Sequence, residues 1–337
     1  QMDKSYRITE GAKCAVIGYG SWATALVKVL TLKYDKVYWY VRNNDVLESL
    51  RTTGFNLKYL SDIEFDINRI VPDNDINKVV SSADIIVLAV PSAFLKTFLE
   101  PLTVSLSDKF VLSAMKGLIP DETKTATEYM RDAYGVPYSQ LGVISGPSHA
   151  EDVARGHSTY LSVVCDEASN AEALRTCFSA PFVTLSCSHD LHGVEFAGVL
   201  KNIYAIAAGM AAGLGLGDNF LATFVSHCAC EMRNFLNAFY PCERDTMRPE
   251  YLGDLLVTCY SNYSRNRRLG QLIGRGCSVK SALNEMTMVA EGYYSVASLM
   301  RLNADKRVDT PIINMVYSIL YQGAIPRLCF KRIRTGK

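Results

Sequence analysis

The sequence predicts a doubly wound, parallel α/β sheet followed by an all-α domain. Three observations carry this. Short apolar, β-branched runs alternate with helical patterns through the first 188 residues, as in a parallel sheet covered on both faces. A glycine-spaced turn, Gly18-x-Gly20-x-x-Ala23, joins the first such run to the first helical pattern. After Ser188 the β-branched runs give way to helical periodicity. At 337 residues the chain exceeds what one core usually serves, so two domains are expected, 1–188 and 189–337.

The elements follow in order. "KCAVIGY" (Lys13–Tyr19) reads as the first strand and "SWATALVKVLTLK" as the helix after it. "KVYWYV" (Lys36–Val41), "DIIVLAV" (Asp84–Val90), "KFVLSA" (Lys109–Ala114) and "LGVISG" (Leu141–Gly146) read as strands. "STYLSVVC" (Ser158–Cys165) and "FVTLSC" (Phe182–Cys187) complete the set. Helical patterns then run through "LHGVEFAGVLKNIYAIAAG", "NFLATFVSHCACEMRNFLNAF", "RNRRLGQLIG", "VKSALNEM", "GYYSVASLMRL" and "IINMVYSIL". The basic tail "RLCFKRIRTGK" is expected to be a frayed end.

Composition excludes several classes. The formal net charge of +1 gives no bulk electrostatic case for nucleic acid or an anionic membrane surface. Asp3, Lys4, Arg7 and Glu10 interrupt any apolar leader; Gln1 ahead of Met2 is set aside as an expression remnant. Asn202–Gly217 is uncharged but short and glycine-rich, so a buried helix running into a glycine loop is expected rather than an integral membrane segment. Ten cysteines lie scattered without a CxxC pair, so they are expected to be reduced, free and mostly buried. Cys228 and Cys230, two apart on a helix, face different ways. No cluster of ligating side chains calls for a metal. The expected location is the cytoplasm, and a homodimer is the generic prior.

The opening turn has a chemical reading. In a Rossmann-like sheet the chain must bend sharply after the first strand and let a pyrophosphate approach the amides of the next helix. Gly18 supplies the bend, Gly20 removes an obstructing side chain, and Ala23 permits close helix–strand packing. The bland reading is an ordinary tight turn. At the end of the second strand stands Arg42, where an acidic residue would favour NAD; a guanidinium there suits a 2′-phosphate, so the reading leans towards NADPH.

The helical half carries a second constellation. Lys201 and Asn202 lie in an otherwise apolar helix, and Asp254 lies in an apolar run. A lysine there either snorkels to the surface or is buried beside a partner. Ser264, Arg265 and Asn266 open a helix, offering hydroxyl, guanidinium, amide and backbone donors to an anion. The bland alternative is a capped surface helix with Arg265, Arg267 and Arg268 solvated. Lys116, in "SAMKGL", lies just beyond a parallel strand, where such sheets bind ligands.

With these residues in view, the sequence resembles the bacterial-type NAD(P)-dependent glycerol-3-phosphate dehydrogenases. "GYGSWATAL", "SGPSHAEDVA", "EFAGVLKNIYAIAAGMAAGLGLGDN" and "LGDLLVTCYSNYSRNRRLG" carry the resemblance, with "MKGL" and "VAEG". It implies reduction of dihydroxyacetone phosphate to sn-glycerol 3-phosphate with NADP(H) or NAD(H), supplying glycerophospholipid synthesis. By resemblance Lys201 is the catalytic lysine, Lys116 a substrate-binding lysine close to the chemistry and to the cofactor, and Asp254 a further catalytic residue that would hold the Lys201 ammonium in place. Gly146, Ser148, Asn202, Asp254, Ser264, Arg265 and Asn266 match substrate contacts. Gly18, Gly20, Ser21, Trp22, Arg42, Ala150, Val289 and Glu291 match cofactor contacts, and Arg265 is shared by both ligands. Ala23 stands where the family usually has glycine, and His149 at a variable position receives no role. Two rivals stay open: a hydroxyacid or 6-phosphogluconate-type dehydrogenase, and a cofactor-binding regulator without chemistry.

Overall fold

Eight strands, β1 (Cys14–Ile17), β2 (Val37–Tyr40), β3 (Ile70–Asp73), β4 (Ile85–Leu88), β5 (Phe110–Ser113), β6 (Leu141–Ser145), β7 (Thr159–Cys165) and β8 (Val183–Ser188), form one sheet. Their order is β3-β2-β1-β4-β5-β6-β7-β8. This computed structural model describes residues 6–335. Gln1, Met2, Asp3 and Lys4, and Gly336 and Lys337 of the tail, lie outside the described residues.

Strands β1, β4, β5 and β6 are buried along their whole length, which is why they read as unbroken apolar runs. The order reverses at β1, where the chain turns from β3-β2-β1 to β4-β5-β6, so ligand chemistry is expected outside the carboxyl ends of β1 and β4. The expected doubly wound sheet is therefore present, with two corrections. β3 was not anticipated, because "IVPD" contains Pro72; a proline is tolerated there since β3 is an edge strand. β7 runs antiparallel to β6, although all other pairs are parallel. The only helix between β6 and β7, Ala150–Ala154, has five residues. At about 1.5 Å per residue it is too short to carry the chain back along a strand.

The chain divides into two compact units, Gln1–Met115 with Ala126–Leu191 and Lys116–Thr125 with His192–Lys337. The first holds the sheet, with a core of Val16, Leu26, Trp39, Val87, Phe110, Ile144 and Phe178. The segment Lys116–Thr125, which follows β5, belongs with the helices.

The helical unit is built around the helix Leu191–Gly213, which is long and apolar enough to span a membrane but is buried within the protein. It leads into Gly215 and Gly217, both at positive φ. Its partner is the helix Arg265–Gly274, and the two touch backbone to backbone. A Cβ on Gly270 would stand 1.9 Å from the Ile206 carbonyl oxygen, and one on Gly209 2.0 Å from that of Arg267. Gly213 and Gly274 repeat the contact one turn on, so small-xxx-small spacing on both helices permits the approach. Glu231, buried on the helix Asp218–Phe239, accepts from the amides of Ile312 (2.8 Å) and Ile313 (3.1 Å) and caps the helix Pro311–Gln322. Burial pushes its carboxyl up to about 7 against those amide bonds. Cys228 is buried and Cys230 exposed, as two positions on one helix require; none of the ten cysteines is in a disulfide, and five are buried rather than most of them. The tail is a correction: instead of fraying it forms the helix Pro326–Thr335, held by the buried Phe330 against Phe224.

Candidate functional site

In the sheet unit, the first turn takes the form the glycine spacing requires. Gly18 adopts φ +118°, and a Cβ there would stand 2.4 Å from the Ala89 carbonyl oxygen. The buried Trp39 donates its indole N–H to the Gly18 carbonyl at 2.6 Å, pinning the bend. Gly20 is the N-cap of the helix Ser21–Leu30, which opens with neither a side-chain cap nor an acidic residue. A Cβ on Gly20 would meet no protein atom within 4 Å. The space ahead of a helix N-terminus is thus kept open, which fits a pyrophosphate. Ser21 and Ala23 are buried, and Trp22 donates to the Ala114 carbonyl at 3.0 Å. Asn56, fully buried, donates to the Tyr19 carbonyl and the Thr24 hydroxyl, both at 2.9 Å. This loop support escaped sequence reasoning, because Asn56 lies in a polar loop whose only signal is its position in space.

Arg42 stands two residues beyond β2, exposed, with its guanidinium carbon 4.8 Å from the Phe98 ring centroid. Among the described residues no carboxylate lies at ion-pair distance from it, so its charge is available to an anion. Gly146 adopts φ +127°, and a Cβ there would approach the Tyr160 carbonyl oxygen to 2.8 Å. Ser148 is buried and donates to the Gly146 carbonyl at 2.9 Å. Ala150 is buried at the start of its helix; His149 holds the N-cap position without a side-chain cap.

The helical unit brings three of the expected residues into direct contact. Lys201 projects from the buried helix and is 5% exposed, so it does not snorkel. Its ammonium donates to one carboxylate oxygen of Asp254 and, at 2.9 Å, to the Thr258 hydroxyl. Lys116 donates to the other Asp254 oxygen at 3.0 Å. Asp254 itself is 1% exposed. It opens the helix Asp254–Tyr260 directly after a single π-helical turn, Pro249–Gly253, a local irregularity frequent at functional sites. Thr258, one helical turn on, donates to the Asp254 carbonyl at 2.6 Å, which aims its lone pairs at Lys201. Sequence reasoning missed Thr258; its i+4 spacing from Asp254 was the signal. Asn202 donates to the Lys116 carbonyl at 2.8 Å, fixing the backbone that presents Lys116.

The electrostatics follow from this packing. Burial lowers the Lys201 ammonium to about 7; Asp254 opposes the shift and Lys116 adds to it. Burial alone would raise Asp254, but the two lysines hold its carboxyl below the usual range.

The helix Arg265–Gly274 opens as expected. Ser264 is its N-cap, accepting from the Arg267 amide at 3.2 Å. Asn266 is buried and accepts from the Gly292 amide at 2.9 Å, tying this helix to the start of the helix Glu291–Lys306. Arg265, Val289 and Glu291 are half-buried. The solvated-arginine reading describes Arg268, which is exposed, but not Arg265 and Arg267, which are half-buried.

Comparison with known proteins decides between the rivals. The family profile for the NAD-dependent glycerol-3-phosphate dehydrogenase N-terminus matches residues 13–171, and that for the C-terminus matches residues 190–331. The chain belongs to this family. The glycerol-3-phosphate dehydrogenase (NAD(P)+) of Staphylococcus aureus is 34% identical over 95% of this chain and 96% of its own. The crystal structure of glycerol-3-phosphate dehydrogenase from Coxiella burnetii superposes with a TM-score of 0.88 at 29% identity, covering 96% of this chain and 98% of that one. A D-mandelate dehydrogenase complex with NADH, at 16% identity and a TM-score of 0.59 over 92% of this chain and 98% of its own, shares the fold alone. The chain is accordingly an NAD(P)-dependent oxidoreductase of the glycerol-3-phosphate dehydrogenase family.

Proposed function

We propose that the protein reduces dihydroxyacetone phosphate to sn-glycerol 3-phosphate, reversibly, with Lys201 as the proton donor and acceptor. The observation that carries this reading is the buried ion cluster Lys116–Asp254–Lys201. NAD(P)H, when bound, supplies the hydride that reduces the ketone carbon. Gly18, Gly20, Ser21 and Trp22 are the residues that would receive its pyrophosphate, and Arg42 would receive a 2′-phosphate.

As the ketone is reduced, negative charge develops on its oxygen. The Lys201 ammonium stabilises that charge and delivers the proton that completes the hydroxyl. In the reverse direction the neutral amine accepts the hydroxyl proton. Asp254 and Thr258 hold the amine in one orientation, and Lys116 adds a second positive charge at the same carboxylate. Arg265, with Ser264 and Asn266 at a helix start, would grip the substrate phosphate, which is remote from the reacting carbon. That binding energy then goes into positioning. The product serves glycerophospholipid synthesis, and the enzyme works as a cytoplasmic homodimer in this reading.

Steady-state kinetics with NADH and NADPH side by side test the assignment. Lys201→Ala lowers kcat by about 100-fold or more, while NADPH affinity, read by nicotinamide fluorescence, stays close to wild type. A variant keeping most of its turnover overturns the role of Lys201. Zero turnover of the wild type with intact NADPH binding favours a regulator instead.

A further inference from the structure

The net charge of the chain is close to zero, but one segment is strongly polarised. Residues 310–337 contain Arg327, Lys331, Arg332, Arg334 and Lys337 and no aspartate or glutamate. Its last helix, Pro326–Thr335, uses Phe330 as its inward anchor, with ring centroids 5.5 Å from Phe224 and 6.1 Å from Phe220. At about 100° per residue, a residue two positions away points to the opposite side. Leu328 is accordingly 54% exposed, Lys331 and Arg332 lie on its side of the helix, and Arg327, also exposed, lies on the flank nearer Phe330.

Two more exposed apolar groups precede that helix in the chain. Gly323, at φ +71°, closes the preceding helix, Pro311–Gln322, and turns the chain so that Ile325 is 59% exposed. The Ile325 carbonyl accepts from the Leu328 and Cys329 amides, both at 3.1 Å, which fixes Ile325 beside Leu328. Tyr321, in the last turn of that preceding helix, is stacked between Tyr317 (5.2 Å) and Tyr293 (5.0 Å) and donates to the Tyr293 carbonyl at 2.6 Å. The ring is therefore held rigidly at the surface.

We propose that Tyr321, Ile325, Arg327, Leu328, Lys331 and Arg332 form a docking site for a lipid bilayer surface that contains anionic lipid. Branched aliphatic side chains flanked by cations on a short, anchored helix have the composition of an interfacial element. The aliphatic groups enter the headgroup–acyl boundary, the amphipathic tyrosine lies at headgroup level, and the cations meet the phosphates. A nucleic acid would use the cations but leave Ile325 and Leu328 in water, so the exposed aliphatics favour lipid. The reach is peripheral: nothing here spans the bilayer.

Co-sedimentation of the full chain with vesicles tests this, using phosphatidylcholine alone and phosphatidylcholine mixed with phosphatidylglycerol. The expected result is binding to the mixed vesicles only, weakened as salt is raised. Each cation near an anionic leaflet contributes about fivefold to partitioning, so Arg327→Gln with Lys331→Gln lowers it about 25-fold. Ile325→Ser and Leu328→Ser each lower it about tenfold. All four positions are exposed, so dehydrogenase activity reports that the variants remain folded. No binding to the mixed vesicles at low salt overturns the proposal, as does binding that the four substitutions leave unchanged. So does competition by a short DNA duplex that survives Leu328→Ser, which would make the patch a polyanion site. A loss of dimer mass in light scattering on Ile325→Ser would make it an interface between copies, and equally overturns it.

Discussion

Lys201 is a buried amine whose charge is contested by its neighbours, and its pH dependence follows from that. With a midpoint of about 7, it is mostly protonated below pH 7 and mostly neutral above. Reduction of the ketone needs the ammonium, so its kcat is expected to fall as pH rises through about 7. Oxidation of glycerol 3-phosphate needs the neutral amine, so its kcat is expected to rise over the same interval. Asp254 raises the lysine against the burial that lowers it, so Asp254→Asn moves both limbs to lower pH. Profiles measured in the two directions check this; limbs that coincide in direction would remove Lys201 from proton transfer. Arg265 is tested by substrate choice. Arg265→Ala is expected to lower kcat/KM for dihydroxyacetone phosphate roughly 10- to 100-fold, the worth of a lost charged hydrogen bond. Unphosphorylated dihydroxyacetone should be affected far less, and equal losses would place the phosphate elsewhere. Lys201 and Asp254 were legible in the sequence because a charge inside an apolar run demands a partner. Thr258 and Asn56 were not, because a hydroxyl or an amide is ordinary in any context and only its neighbours give it a task.

At the scale of elements, the helix pair Leu191–Gly213 and Arg265–Gly274 carries Lys201, Asn202, Arg265 and Asn266, and its glycines set how closely it packs. Gly270→Ala places a methyl group against the Ile206 carbonyl, at a separation no real contact tolerates. The helices must part, with an expected cost of about 3 kcal/mol. Chemical denaturation measures it, and a loss under 1 kcal/mol would mean that the crossing relaxes freely. The same displacement moves the backbone of Lys201 relative to the helix Arg265–Gly274, so kcat/KM is expected to fall beyond what stability explains. In the sequence Gly209, Gly270 and Gly274 fall within helical patterns, while Gly213 falls in "AAGLGLG" where a glycine loop is expected, and nothing in either pattern signals that the four meet across a helical contact. Strand type was easier to read. β1, β4, β5 and β6 announce themselves by continuous apolar runs, whereas β3 hides behind Pro72. The direction of β7 depends on how short the connection from β6 is, which apolar periodicity does not report. The tail reads as a frayed end for a similar reason: cations dominate its composition, whereas the anchoring ring of Phe330 decides that it folds.

At the scale of the whole molecule, the two units have separate apolar cores, one between sheet and helices and one among helices around Phe196, Tyr204, Phe224 and Phe235. The change from β-branched runs to helical periodicity falls where β8 gives way to the long helix Leu191–Gly213. The allocation of Lys116–Thr125 to the helical unit was not visible, since it follows from where Lys116 finds Asp254. Chains with two cores commonly depart from two-state unfolding, and two calorimetric transitions are expected here. Substitutions that strain one core should move one transition only. Gly18→Ala forces a side chain into φ +118° and towards the Ala89 carbonyl, and is expected to lower the transition of the sheet unit alone. Gly270→Ala is expected to lower the other alone. Far-ultraviolet circular dichroism assigns them, because the helical unit contributes more helix signal per residue to its own transition. If both substitutions shift one symmetrical transition by similar amounts, the cores unfold together. The chain would then have to be treated as a single cooperative body, with strain at either glycine felt by both ligand sites.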